Sequence, residues 1–259
     1  VIVLTACALI AVALPVSADE ANESWHRESS QAFETIEAGG TVRVTNPLGD
    51  VRARFGGYEN RVEVLATVQY PDRQTSVPEV SLTPVETGLE VSTRWSDGQG
   101  ADALGRVDLV VFIPRGATLD ARTRDGLIEA KGLKSNLIAS TQTGEIRIRS
   151  THGHVSAKSA RGAVSVALET GVTEQSQSIS TETGDIEVYL WEDAAMDVHL
   201  ATSGEISTDF SIDIEYRRFE EPGKLGRATL GGGGPELRLE SKRGRVRLLR
   251  QQRDFSPEE

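Results

Sequence analysis

Residues 119–130 read LDARTRDGLIEA and residues 137–148 read LIASTQTGEIRI, and these two stretches, 18 positions apart, decide the fold. Both follow one pattern: apolar residues at alternate places, a Thr, a Gly three residues later, then renewed alternation. The copies are Leu119, Ala121, Thr123, Gly126, Ile128, Ala130 and Leu137, Ala139, Thr141, Gly144, Ile146, Ile148. Side chains of an extended strand point to opposite faces in turn, so strict alternation marks short strands with one buried face. Helical spacing is absent. The unit recurs around Gly153, Gly162, Gly184, Gly204 and Gly244, each followed by alternating apolar residues. Positions 126, 144, 153, 162 and 171 are separated by multiples of nine, and the place skipped in that series falls at Ser135-Asn136. Asn is among the few residues besides Gly that accept a left-handed backbone, which keeps the register.

A fixed period of this kind signals stacked repeats. Aromatics make up only 5% of the chain, and inward positions such as Ala121, Ala130, Ala139 and Ala157 are small, which favours stacking over separate hairpins. The expected fold is all-β: a single-stranded β-solenoid (β-helix) over 119–250, two units per coil, with coils about 4.8 Å apart. Steps of 22 from Gly162 to Gly184 and 20 from Gly184 to Gly204 place these glycines in successive coils. Thr202 precedes Gly204 by two residues, not three. Such a slip would invert the faces unless the turn absorbs it, as expected here.

Upstream, residues 41–55 (TVRVTNPLGDVRARF) carry one copy of the motif at Gly49, and strand-like runs follow at 61–70, 80–82, 89–95 and 107–113. Pro71, Pro78, Pro84 and a polar stretch over 96–105 punctuate them. Residues 35–118 are therefore expected to form an antiparallel N-terminal β region capping the first coil, after a linker at 19–34. Residues 211–234, ending in Gly231 to Gly234, break the period as an excursion. Residues 251–259 read as a disordered tail.

Twenty-eight Lys and Arg against 39 Asp and Glu give the 259-residue chain a net charge of −11. That argues against nucleic acid or an anionic membrane as the main partner. Residues 1–18 are uncharged, mainly apolar, and end in Val16-Ser17-Ala18, the pattern of a secretory signal peptide cut before Asp19. Leu4-Thr5-Ala6-Cys7 also fits a lipoprotein lipobox, although the apolar run continues past Cys7. Cleavage after Ala18 leaves no Cys, so disulfides, thiol catalysis and Cys-ligated zinc fall away together. No later stretch is apolar and long enough to span a bilayer. The expected location is periplasmic, cell-surface or secreted.

Candidate sites are few. Glu145, Asp185 and Glu205 each follow a turn Gly, and successive coils would stack the last two about 4.8 Å apart, solvated or bridged by a cation. Asp185 and Glu187 lie two apart on one strand face, about 7 Å between α-carbons and near the spacing of glycosidase carboxylates. His152 and His154 flank Gly153 without a third metal ligand in view. There is no Gly-x-Ser-x-Gly elbow, and the Gly231 to Gly234 run lacks the Lys-Ser/Thr and helix of a phosphate loop. Lys242, Arg243, Arg245, Arg247 and Arg250 form a basic cluster in an acidic chain. It suits contact with an anionic envelope polymer, or the charged outer face of a final strand that discourages edge-to-edge growth. No cofactor or metal is expected.

Several stretches together resemble the bacterial "putative adhesin" domain family of unknown function. They are residues 107–114 (VDLVVFIP) leading into 119–126, the Thr-x-x-Gly-Asp/Glu-Ile copies at 141–146 and 181–186, and 230–237 (LGGGGPEL) followed by 240–246 (ESKRGRV). The resemblance spans residues 35–250. It implies an exported β-helical protein acting in adhesion, envelope association or envelope-stress sensing, and it supplies no catalytic residues. The expected function is thus a non-catalytic, adhesin-like binding or scaffold module of the cell envelope, with an envelope polymer or protein as partner. The alternatives are a regulatory stress sensor and a polysaccharide-acting β-helix enzyme.

Overall fold

The computed structural model describes residues 24–72, 76–96, 104–169 and 175–251. The expected signal segment, the lipobox Cys7, Gly171 and residues 252–259 lie outside them. Among the described residues there is no helix, and the chain forms 21 strands. The first seven are β1 (Trp25–Thr35), β2 (Thr41–Leu48), β3 (Val51–Phe55), β4 (Arg61–Pro71), β5 (Pro78–Val85), β6 (Gly88–Trp95) and β7 (Arg106–Ile113). The repeats supply β8 (Thr118–Asp125), β9 (Ile128–Lys131), β10 (Leu137–Thr143), β11 (Ile146–Thr151), β12 (Val155–Arg161), β13 (Val164–Leu168), β14 (Gln177–Thr181) and β15 (Ile186–Leu190). The remainder are β16 (Met196–Thr202), β17 (Ile206–Thr208), β18 (Asp213–Tyr216), β19 (Lys224–Leu230), β20 (Glu236–Ser241) and β21 (Val246–Arg250).

They build two mixed sheets. One runs β1-β4-β7-β3-β9-β11-β13-β15-β21-β17, the other β18-β19-β16-β20-β14-β12-β10-β8-β2-β6-β5. Each repeat places its first strand in the second sheet and, after the Gly turn, its second strand in the first. The register is the predicted one: Leu119 pairs with Leu137 and Leu137 with Val155, while Ile128, Ile146, Val164 and Ile186 follow one another in parallel. These inward positions are buried and form one continuous core between the sheets. Each fully buried Val, Leu or Ile side chain contributes about 1.5–3 kcal/mol over exposure, so the columns are the main source of stability.

The turn glycines show why the motif needs Gly and Thr or Ser. Gly126, Gly144, Gly162 and Gly184 stack so that a Cβ built on each would lie 2.0, 2.0, 1.9 and 1.9 Å from the carbonyl oxygen of the glycine one layer below. No side chain fits there. At two of these turns the preceding hydroxyl donates inside the corner, Ser159 Oγ to the Gly144 carbonyl at 3.0 Å and Thr181 Oγ1 to that of Gly162 at 3.1 Å, whereas Thr141 Oγ1 is buried without a partner among the described residues. The Ser159 and Thr181 hydroxyls thereby each satisfy a buried carbonyl that the turn leaves without a ladder partner. Gly153 is not in this column. It stacks on Ser135 at the opposite corner, where Asn136 Oδ1 accepts the His154 N–H at 3.0 Å.

One expectation fails in an informative way. Layers β14/β15 and β16/β17 are not neighbours, because the C-terminal pair β20/β21 lies between them. Ile179 pairs with Leu239 and Leu239 with Leu200; Ile186 pairs with Val246 and Val246 with Ile206. The glycine column accordingly runs from Gly184 to Gly244 to Gly204. Direct stacking would set Asp185 over Glu205, and inserting the Arg-rich β21 turns that repulsion into attraction. The last strands are therefore central, and the charged-edge reading of the basic cluster is wrong: the edges at this end are β17 and β18. The short turn at Gly204 is absorbed as expected, with Thr202 opposite Ser241 and Ile206 opposite Val246.

The N-terminal region also differs from the expectation. β1, β4 and β7 pair antiparallel, as do β5 and β6. However, β2 and β3 run parallel to β8 and β9, so the stacked register begins at Thr41 and not near residue 119. From Trp25 onward the expected linker is the strand β1, paired along its length with β4. The excursion at 211–234 supplies β18 and β19, which pair antiparallel and cover β16.

Candidate functional site

On the outer face of the first sheet the alternation that buries Ile146, Ile148, Ile186 and Val188 turns Arg147 and Arg149 of β11 and Glu187 and Tyr189 of β15 outward. Between these walls lie only Ala163, just before β13, and Ser165 and Ala167 on it, leaving an open groove of about 470 Å³ that Glu145 and Gln251 also line. Its electrostatics are largely settled by pairing. Arg147 pairs with Glu145 and Arg247 with Glu187, and the Tyr189 hydroxyl donates to Glu187 Oε2 at 3.2 Å. Burial first, and then the neighbouring Glu187 carboxylate, raises the Tyr189 phenol above its ordinary range. Arg149 forms no ion pair among the described residues, and Lys131 of β9 is its registered neighbour.

The carboxylates singled out in the sequence are all engaged. Asp185 Oδ1 accepts the Arg245 N–H at 2.8 Å, and Glu205 meets Arg245 Nε at 3.2 Å, so the predicted 4.8 Å stack of Asp185 on Glu205 is replaced by a bridge through Arg245. The basic cluster is met almost residue by residue. Lys242 faces Glu182 at 3.3 Å, Arg245 and Arg247 are bound as above, and Arg250 faces Glu192 at 2.9 Å while its N–H bonds Asp209 at 2.9 Å. Arg243 stands exposed in the turn. These cations thus fasten the inserted strand pair to the layers on either side. His154 Nδ1 contacts the Ser176 carbonyl, and His152 N–H bonds the Leu133 carbonyl at 2.9 Å. Among the described residues no three His, Cys, Asp or Glu side chains converge in a way that would hold a metal ion.

The groove itself was not singled out from the sequence. Its signal is present in the outward positions of the alternation, where β13 carries Ser165 and Ala167 between the long side chains of β11 and β15.

No family model matches the sequence, and no curated protein matches it. Among solved structures, the chain is similar to a "putative cell adhesion protein" from Clostridium sporogenes, at a TM-score of 0.46 and 13% identity over 86% of this chain and 100% of that one. It is similar also to a "putative adhesin" from Bacteroides fragilis, at 0.35 and 9% over 86% and 97%. A further "putative adhesin", from Parabacteroides merdae, aligns at 0.29 and 10% over 87% and 97%.

Proposed function

We propose that the stacked layers constitute a single-stranded β-solenoid and that the protein is an exported, non-catalytic, adhesin-like module of the bacterial cell envelope. The observation that carries this reading is the parallel pairing of every successive layer from β2/β3 to β16/β17. Such pairing repeats outward side chains about every 4.8 Å on a rigid frame, which suits a partner bound by many shallow contacts. The pairing of Glu187 with Arg247 and of Asp185 with the Arg245 backbone N–H gives both carboxylates structural partners, which speaks against their serving as a glycosidase acid and base. Co-sedimentation of the purified protein with bacterial envelope fragments, with the supernatant analysed for released saccharide, tests the proposal. Saturable sedimentation without soluble product is expected. Failure to sediment, or saccharide release abolished by Asp185→Ala and Glu187→Ala, would overturn it.

A further inference from the structure

Resting on that binding reading, we infer that the corner where β3, β7 and β9 end and β4 begins docks a linear glycan bearing carboxylates. Three turns meet there. Phe55 closes β3, with Lys134 Nζ 5.4 Å and the Arg115 guanidinium 5.9 Å from its ring centre. Beside it, the Arg61 guanidinium lies 3.8 Å from the Tyr58 ring and 5.0 Å from that of Phe33. Backbone bonds lace the turns together: Arg115 N–H to the Tyr58 carbonyl and Gly116 N–H to that of Lys134, each 3.2 Å.

These cations differ from the C-terminal cluster in one decisive respect. Among the described residues Arg61, Arg115 and Lys134 form no ion pair, whereas Lys242, Arg245, Arg247 and Arg250 are all paired. Of the carboxylates around the corner, Glu129 is bound by Arg54 at 2.6 Å and Glu63 accepts from Gln31 at 2.7 Å, while Glu59 lines an adjoining depression with Thr35 to Ala38 and Asn60. The corner thus gathers three cations without ion pairs beside three aromatic rings, on a chain of net charge −11. It is continuous with the groove, because Lys131 and Arg149 are registered neighbours and Arg149 is followed by Ala167 and Tyr189.

Planar guanidinium groups match carboxylates in bidentate fashion, and aromatic rings offer flat apolar faces to sugars. Cations on successive layers stand about 4.8 Å apart, close to the length of one pyranose unit. The overall negative charge opposes an anionic lipid surface, which would press the whole body of the protein against like charge. A flexible polymer touching only the corner and the groove avoids that repulsion.

The probe is polygalacturonate, compared with neutral pullulan and with vesicles containing phosphatidylglycerol, using the purified protein in affinity electrophoresis and flotation. Binding to polygalacturonate that weakens with salt is expected, with none to pullulan or vesicles. Replacing the exposed Arg115, Lys131 and Lys134 by Gln should weaken it at least about tenfold, while Arg115→Lys with Lys134→Arg retains it. Lys242→Gln, in the paired cluster, should leave it within about twofold. No polygalacturonate binding, an unaffected triple variant with native circular dichroism, or equal binding to vesicles overturns the inference. If the triple variant still sediments with envelope fragments, the corner assignment fails while the binding reading stands; if the parent protein does not sediment either, both fail.

Discussion

Replacing Gly162 by Ala probes the stacking directly. The new Cβ would lie 1.9 Å from the Gly144 carbonyl oxygen and 2.6 Å from its carbon, both backbone atoms with nowhere to rotate. A carbon tolerates a carbonyl oxygen at about 3.3 Å, so the two layers must part locally by roughly 1.4 Å. That opening strains the flanking ladder bonds Gly144 N–H to Arg161 and Ile146 N–H to Ala163, each 3.0 Å. Losing two such bonds costs about 1 kcal/mol each, and a φ of +151° adds strain for Ala of about 1–2 kcal/mol. The expected destabilisation is about 3–4 kcal/mol, a large part of a typical domain's stability. Gly132 supplies the control, with φ +70° and no atom within 4 Å of the place a Cβ would occupy; Gly132→Ala should cost about 1–2 kcal/mol, from conformation alone. Urea unfolding followed by circular dichroism gives both values from the midpoints at unchanged slope. Equal losses in the two variants would refute the close-approach argument.

Ending the chain at Pro235 removes β20 and β21 and leaves β14, β15, β16 and β17 each with an unpaired edge; the cooperative urea transition should disappear, and a native-like transition at the parent midpoint would contradict the layer order. Arg247→Glu sets like charges beside Glu187 and should destabilise by about 1 kcal/mol, an effect reduced by salt and reversed when Glu187→Lys is added, as read from paired unfolding curves. The Tyr189 phenol, raised by burial and then by Glu187, keeps its proton in the folded state at pH values where it ionises in the unfolded chain. Its contribution to stability is therefore complete below the ordinary tyrosine pKa and is lost as pH rises through the folded value. Ultraviolet titration should show one late-ionising phenol that Tyr189→Phe removes, and that Glu187→Gln shifts only part of the way back because burial is the larger cause.

Much of this architecture was legible because its rules are local. The period of two in Leu119, Ala121 and Thr123 assigns faces without knowledge of neighbours, and the Thr-x-x-Gly spacing marks corners because only Gly can sit under the carbonyl of the next layer. Layer order is not local. Gly184 and Gly204 are 20 residues apart, an acceptable coil length, and nothing in that spacing announces that Gly244 comes between them. The clue lies in charge: Asp185 just before β15 and Glu187 on it, Glu205 just before β17, and Arg245 just before β21 with Arg247 on it complement one another only when β21 is central. The pairing of β2/β3 with the repeats is hard to read from sequence because one motif copy at Gly49 gives no period to measure. The basic corner leaves no sequence signal because Phe55, Arg61, Arg115 and Lys134 are scattered along the chain and meet only where strand ends coincide.

The position of the C-terminal strands admits a direct test by cross-linking in a Cys7→Ser background. Ser180 of β14 is the registered partner of Glu240, which is in turn the partner of Ala201 in β16. A disulfide needs α-carbons within about 7 Å, and neighbouring strands lie about 4.8 Å apart. Ser180→Cys with Glu240→Cys should therefore form a disulfide on mild oxidation, while Ser180→Cys with Ala201→Cys, two strand spacings apart, should remain reduced. The opposite outcome, a bond between positions 180 and 201 and none between 180 and 240, would contradict the insertion of the C-terminal pair.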